Sequence, residues 1–281
     1  EQVLVDFTRM NRILHWQPAD GLITVEPGVT YEQLWRYALG DGYWPPVVPG
    51  TMRPTLGGCL GMNVHGKNNW RAGTLGDNVV SFTALLPTGE EVTCSRTENR
   101  DLFFGIIGGL GLFTSITIKL KKVYSGDLRV HAYALPNIET LIADFEANQD
   151  HHDYLVAWID CFAKGKNLGR SEVHLADYLP PGVDPAPAQT LRLEHQDLPD
   201  TILGFFPKSI VWIGMWFFLN NPGAWLTNTL KYTLAKIKGH TVHRQAFAAF
   251  NFLLDYVPHW KKAYLPGGLI QYQTFVPKAT A

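Results

Sequence analysis

The chain has 281 residues, 46% hydrophobic and 17% charged, with a formal net charge of −1. Its length points to two domains, and its composition gives a globular core rather than a disordered chain. Near-neutral charge with dispersed basic residues gives no footing for a nucleic-acid binder. The three cysteines, Cys59, Cys94 and Cys161, show no CxxC spacing. They argue against a disulfide framework or a zinc site, read as buried free thiols, and suit a reducing, cytoplasmic compartment.

In chain order, Gly21–Glu26 reads as a strand and Pro27-Gly28 as a turn. Thr30 stands three residues before Gln33, a capping-box spacing. Tyr31–Leu39 is therefore expected to be a helix, with Leu34, Tyr37 and Ala38 facing inward and Gly40 and Gly42 ending it. Pro45, Pro46 and Pro49 keep Trp44–Val48 extended. The next stretch, Pro49–Asp77, carries seven glycines and few long apolar side chains. Glycine serves where backbone takes φ > 0 or comes close to another group, and exposed amides can cradle a pyrophosphate. His65, Lys67, Asn63, Asn68 and Asn69 lie in the same stretch, so it reads as a cofactor wall. A loop-rich turn region is the plainer alternative.

Val79–Leu86 and Glu90–Cys94 read as strands around a Thr88-Gly89 turn, and Asn99–Gly105 as a short helix. The GGLG at Gly108–Gly111 is no dinucleotide fingerprint, because Thr114 stands where a third glycine is needed. Phe113–Val123 alternates, with Ile116, Ile118 and Leu120 on one face of a half-buried strand. Composition shifts at Tyr124–Asp127, which divides the chain into domains 1–123 and 128–281. In the second, Leu128–Leu135, Tyr154–Cys161, Phe247–Leu254 and Gly268–Val276 read as strands, Ile138–Asn148 and Gly223–Lys238 as helices, and Leu179–Ala188 as a proline-rich loop. The fold class is α+β, with an antiparallel sheet in the second domain. The apolar run Ile210–Leu219 is too short to span a bilayer. It reads as a core strand or helix, with a membrane-surface patch as the alternative.

His151-His152 and His240/His243 lack a carboxylate or cysteine at ligand spacing and read as solvated surface histidines, so no metal is expected. No G-x-S-x-G or GxxxxGK[ST] occurs. On a strand, Gln271 and Gln273 would share a face with Leu269 and Phe275. Two amides there could grip vicinal sugar hydroxyls.

PGTMRPTLGGCLGMNVHGKN, Pro49–Asn68, resembles the flavin-binding segment of the PCMH-type, or vanillyl-alcohol-oxidase, superfamily. The tetrad His65–Asn68, TGEEV at Thr88–Val92, LFFGIIGGLGLFTSI at Leu102–Ile116, YLVAWID at Tyr154–Asp160 and YLPGGLIQYQ at Tyr264–Gln273 are similar to its decaprenylphosphoryl-β-D-ribose 2′-oxidase branch. The resemblance implies a PCMH-type FAD-binding domain followed by a substrate domain, and hydride transfer from a secondary hydroxyl of a sugar-like or polyprenyl-phosphate-sugar substrate to flavin N5. It implies flavin contacts from Gly50, Thr51, Thr55, Leu56, Gly57, Gly58, Met62, Asn63, Val64, His65, Gly66 and Ile116, with the Gly108–Gly111 turn against the flavin. His65 and Lys67 are the catalytic candidates. Lys67, Gln271 and Gln273 form the substrate wall, to which Trp158 could add an apolar side; a core tryptophan and, for His65, a histidine bonded to its own loop are the structural alternatives. Aldonolactone and alditol oxidases share the superfamily, and a non-catalytic flavin-fold module is the non-enzyme alternative. The membrane-surface alternative for Ile210–Leu219 keeps membrane association open, and oligomeric state is left open. The family's upstream flavin loop and downstream catalytic lysine are not in this sequence, so it reads as a fragment expected to be inactive alone.

Overall fold

The computed structural model describes residues 6–202, 204, 206–270 and 272–274. Strands β1 (Ile13–Gln17), β2 (Leu22–Val25), β3 (Val79–Leu85), β4 (Glu91–Ser95) and β5 (Phe113–Lys119) form one antiparallel sheet in the order β1-β2-β5-β3-β4. The two-residue side-chain period puts Ile23, Val25, Phe82, Ala84, Ile116 and Ile118 into the core. Helix α1 (Tyr31–Ala38) begins with the expected capping box between Thr30 and Gln33. Its buried stripe is Tyr31, Leu34, Trp35 and Ala38. Tyr37, expected inside, is half exposed, because it falls off the i, i+3, i+4, i+7 stripe. The short helices α2 (Leu56–Gly61) and α3 (Arg100–Ile106) flank the sheet connections.

The strand expected over Phe113–Val123 breaks after Lys119. Leu120 instead donates its N–H to the Gly21 carbonyl at 2.8 Å. Lys121–Lys122 then pairs with Tyr43–Trp44.

A second antiparallel sheet, order β9-β6-β8-β7, contains β6 (Asp127–Leu135), β7 (Tyr154–Ile159), β8 (Ser171–Tyr178) and β9 (Thr241–Ala246). Helix α4 (Ile138–Asn148) packs Leu141 against Leu155, Val173 and Leu175. Each sheet takes its strands from one side of Tyr124–Gly126, yet one apolar cluster joins them. At its centre is Trp44, whose ring centroid lies 5.7 Å from Trp35, 4.9 Å from Phe247 and 6.0 Å from Phe252.

Three C-terminal expectations change. Phe247–Leu254 is not a strand: Phe247–Asn251 is helix α7, followed by a 3₁₀ turn, and the strand lies earlier as β9. The sequence AFAAFN buries Phe247, Phe250 and Asn251 at i, i+3 and i+4, which is a helical face. Gly268–Ile270 and Tyr272–Thr274 form no strand. Ile270 and Tyr272 are 94% and 87% exposed, with no neighbouring strand to pair with among the described residues; Gln271 and Phe275–Val276 lie outside those residues. Ile210–Leu219 is helical, as α5 (Val211–Phe218), but none of α5 is buried. The core reading of that run is replaced by a surface one. It leads into α6 (Asn221–Lys238), capped by Asn220, whose side chain accepts the Gly223 N–H at 2.9 Å.

Trp44→Ala is expected to destabilise the chain by about 3–5 kcal/mol through the cavity left between the sheets. Chemical denaturation checks this; an unchanged midpoint would show that the two halves do not share a core.

Candidate functional site

The glycine-rich segment is seated on the turn after β2 by its backbone. Leu56 N–H donates to Val29 O at 2.7 Å and Gly57 N–H to Pro27 O at 2.8 Å. A Cβ on Gly57 would lie 2.6 Å from Pro27 Cβ, so only glycine allows this approach. Thr55 caps α2 by accepting the Gly58 N–H at 3.2 Å. Gly58 itself is exposed, and a Cβ there would meet only Thr55 Oγ1, at 3.1 Å. Against the other end of α2 folds the Gly108–Gly111 turn: Gly108 N–H donates to Leu60 O and Leu110 N–H to Gly61 O, both at 3.0 Å. Gly108 and Leu110 have φ of +74° and +59°. Between these two pieces lies a groove of about 260 Å³, lined by Pro27, Thr55, Gly57, Gly58, Gly61 and Leu110 among others.

Further along, Asn63 takes φ +46° and its Oδ1 accepts the Gly76 N–H at 2.9 Å. Val64 is half-buried and bonded by backbone to Cys59 and Leu75. His65 pairs by backbone with Thr74. Its imidazole Nε2 lies 3.1 Å from Gln273 Nε2 and 3.3 Å from Gln273 Oε1. Gly66 is crowded, since a Cβ would come within 2.8 Å of Asn68 Oδ1. Asn68 is buried, and its Nδ2 donates to Pro46 O at 2.9 Å.

Lys67 reaches across to the second half of the chain. Its ammonium donates to the carbonyls of Phe250 at 2.5 Å and Asn251 at 3.2 Å, at the end of α7. Burial lowers its pKa to about 8. Nearby, Thr51 Oγ1 and Met52 N–H donate to the Asp255 carboxylate at 2.8 and 2.7 Å, and Gly50 O accepts the Leu254 N–H at 3.2 Å. Here the segment Leu254–Lys262 bounds a cleft of about 680 Å³ with Thr51, Arg53 and Pro54.

The structure thus gathers Thr55, Gly57 and Gly58 at the groove, His65 with Gln273, and Gly50, Thr51 and Lys67 at the Phe250–Asp255 segment. Leu56 and Ile116 are buried in the core, Met62 is exposed, and Gln271 lies outside the described residues. Trp158 lies on β7 under α6, with the Lys231 ammonium 4.7 Å from its ring. Sequence reasoning missed Asp255, and it singled out the Gly108–Gly111 turn without foreseeing the conformation of Leu110. The positive φ of a leucine leaves no mark in sequence, while Asp255 is marked only by its isolation, as the one acid after Asp200. Two bland readings also change. Cys161 is exposed, not buried. His152 is half-buried, its Nδ1 2.9 Å from Asp177 Oδ2.

The FAD binding domain family matches residues 1–95. The match places an FAD-binding domain of the PCMH type in this part of the chain, with FAD as its cofactor. Over 98% of its length it is 29% identical to decaprenylphosphoryl-beta-D-ribose oxidase of Mycolicibacterium smegmatis, of which it covers 59%. An uncharacterized protein in the mprA 5′ region of Streptomyces coelicolor is 32% identical over 56% of this chain and 43% of its own. A D-lactate dehydrogenase of Anaerostipes hadrus is 31% identical over 53% and 33%. The chain therefore spans 59% or less of these curated relatives. The residues fit a flavin: Gly57, Gly58 and Gly61 line the groove, and Gly58 is exposed, with only Thr55 Oγ1 near a Cβ built there.

Two neighbouring glycines separate packing from binding. Gly57→Ala is expected to lower thermal stability by driving a methyl into Pro27, whereas Gly58→Val keeps the fold and loses flavin. Melting curves and flavin absorbance of the full-length variants check this; equal flavin content in Gly58→Val and wild type would remove Gly58 from the cofactor wall.

The Lys67 shift sets a pH dependence with a definite sign. The folded state gives up this proton at about 8, while an unfolded lysine holds it to 10.5. Between those values the unfolded state binds more protons, so stability rises with pH. Stability measured relative to Lys67→Met is expected to climb from pH 8 towards 10.5; a flat difference would mean that the ammonium is solvated.

Proposed function

We propose that the protein is an FAD-dependent oxidoreductase that oxidises a secondary hydroxyl of a polyprenyl-phosphate sugar. The observation that carries this reading is the His65–Gln273 contact, which joins the glycine-rich segment to the C-terminal polar segment. It is supported by similarity to decaprenylphosphoryl-beta-D-ribose oxidase over nearly the whole chain, where the D-lactate dehydrogenase match covers about half. When bound, FAD supplies the hydride acceptor.

The protein's part is placement. Residues 1–123 hold the cofactor and 128–281 cover the substrate, with the flavin between these lobes. Gly57 brings α2 onto Pro27, and Gly58 and Gly61 leave backbone free to approach the flavin. His65 and Gln273 present an imidazole and an amide, which together donate to and accept from sugar hydroxyls. Lys67 stands beside the substrate as a cation held by two carbonyls. To reach a substrate oxygen it exchanges one of those bonds for the new one. An apolar wall without polar groups would fit a relic flavin fold; an imidazole and an amide in contact fit a site that grips hydroxyls.

Gln273→Leu in the full-length enzyme is expected to keep flavin bound and lower kcat/KM roughly 2- to 10-fold, the loss of one neutral hydrogen bond of about 0.5–1.5 kcal/mol. The test is anaerobic bleaching of the flavin by a polyprenyl-phosphate pentose, with D-lactate and an aldonolactone as rivals. Bleaching by D-lactate or the lactone alone would overturn the substrate class.

A further inference from the structure

Helices α5 and α6 present an apolar face that no other described residue covers. In α6 the side towards the protein carries polar contacts: Asn228 donates to the buried Asp160 at 3.0 Å, Thr229 accepts from Arg170 at 2.8 Å, and the Arg170 guanidinium lies 4.8 Å from the Tyr232 ring, while Thr227, Thr233, Lys236 and Lys238 are exposed. Its Leu226, Leu230, Leu234 and Ile237 share one outward stripe and are 42, 56, 63 and 77% exposed. Beside them α5 is apolar all round, with Trp216, Phe217 and Phe218 half exposed or more. A patch of this kind on a monomer marks an interaction surface.

Charge selects the occupant. From Thr201 to Ala281 the sequence holds eight Lys and Arg and one acid, Asp255. That acid is engaged by Thr51 and Met52. Lys236, Lys238, Lys261 and Lys262 are exposed around the patch, with Lys262 5.6 Å from the Trp212 ring. A second copy of the same face would bring these lysines together against repulsion. Among the described residues no helix is long and apolar enough to cross a membrane. Trp, Phe and Leu on one side with Lys at the rim is the pattern of a helix lying in the plane of an anionic interface.

We propose that α5 and α6 dock the protein onto the surface of an anionic lipid bilayer. The site and the patch share a segment, because α5 packs on the turn Trp260–Tyr264, which leads to Gln273. Docking would set the site mouth against the lipid headgroups, where a polyprenyl-phosphate chain has its polar end. That last point rests on the proposed function; the docking itself does not.

The test is flotation of the full-length protein with phosphatidylcholine vesicles, with and without phosphatidylglycerol. Wild type is expected to float with the anionic vesicles, and each of Lys236→Ser and Lys238→Ser to lower affinity roughly fivefold. Trp216→Glu/Phe217→Glu and Leu230→Glu/Leu234→Glu are expected to stay unbound with unchanged circular dichroism and melting, since the replaced side chains are exposed. Wild type that stays at the bottom, or glutamate variants that float as well as wild type, would overturn the proposal. So would a wild-type dimer that the glutamate variants make monomeric without vesicle binding, which would give the face to a second copy. Flavin bleaching is scored separately and without vesicles, so neither result stands or falls with the other.

Discussion

Everything at the site depends on how closely α2 lies on the turn after β2. Gly57 has no side chain, so its amide reaches the Pro27 carbonyl and α2 lies flat on the first sheet. This contact fixes Thr55 and Gly58 and sets the position from which Asn63, His65 and Lys67 run on. A methyl group at that point would lift the whole segment by more than the length of a hydrogen bond's tolerance. The groove is therefore a product of backbone geometry, with Gly57, Gly58, Gly61 and Gly111 lining it beside Thr55 and Leu110.

The two halves of the chain are then tied by a reciprocal pair of charges. Lys67, from the first half, gives its ammonium to carbonyls at the end of α7; Asp255, from the second half, takes the Thr51 hydroxyl and the Met52 amide. These are mainly charge–dipole contacts in partly buried surroundings, so added salt screens them far less than it screens an exposed ion pair. Arg53 adds a looser ion pair to Asp255 at 3.8 Å. Burial disfavours the charged form of this lysine, and that is the origin of its lowered pKa. Both ties converge on the Phe250–Asp255 stretch, which explains why this short piece is helix and turn rather than an edge strand that could slide in register.

Much of this was legible in the sequence, and the failures have physical causes. The Thr30/Gln33 box and the alternation of Ile116, Ile118 and Leu120 were readable because each depends on local spacing alone. The glycine segment was readable as a wall, although nothing in the sequence says that Gly57 packs inward while Gly58 faces the groove. Phe247–Leu254 misled because an aromatic run suits a strand equally well; the carbonyl-capping Lys67 that favours helix comes from 183 residues away. Ile210–Leu219 misled for the opposite reason. Hydrophobicity signals removal from water, and a second solvent can do that as well as a core.

One small feature gives the molecule a practical handle. The Cys59 thiol is pushed up to about 12 by burial, and burial also raises that of Cys94, so neither forms a ready thiolate. Cys161 alone is exposed, and it follows Asp160, the carboxylate that anchors α6 through Asn228. A maleimide dye added to the unmodified chain would therefore settle at one address, beside the helix pair. No engineered cysteine is needed to attach a fluorophore whose colour responds when that corner leaves water.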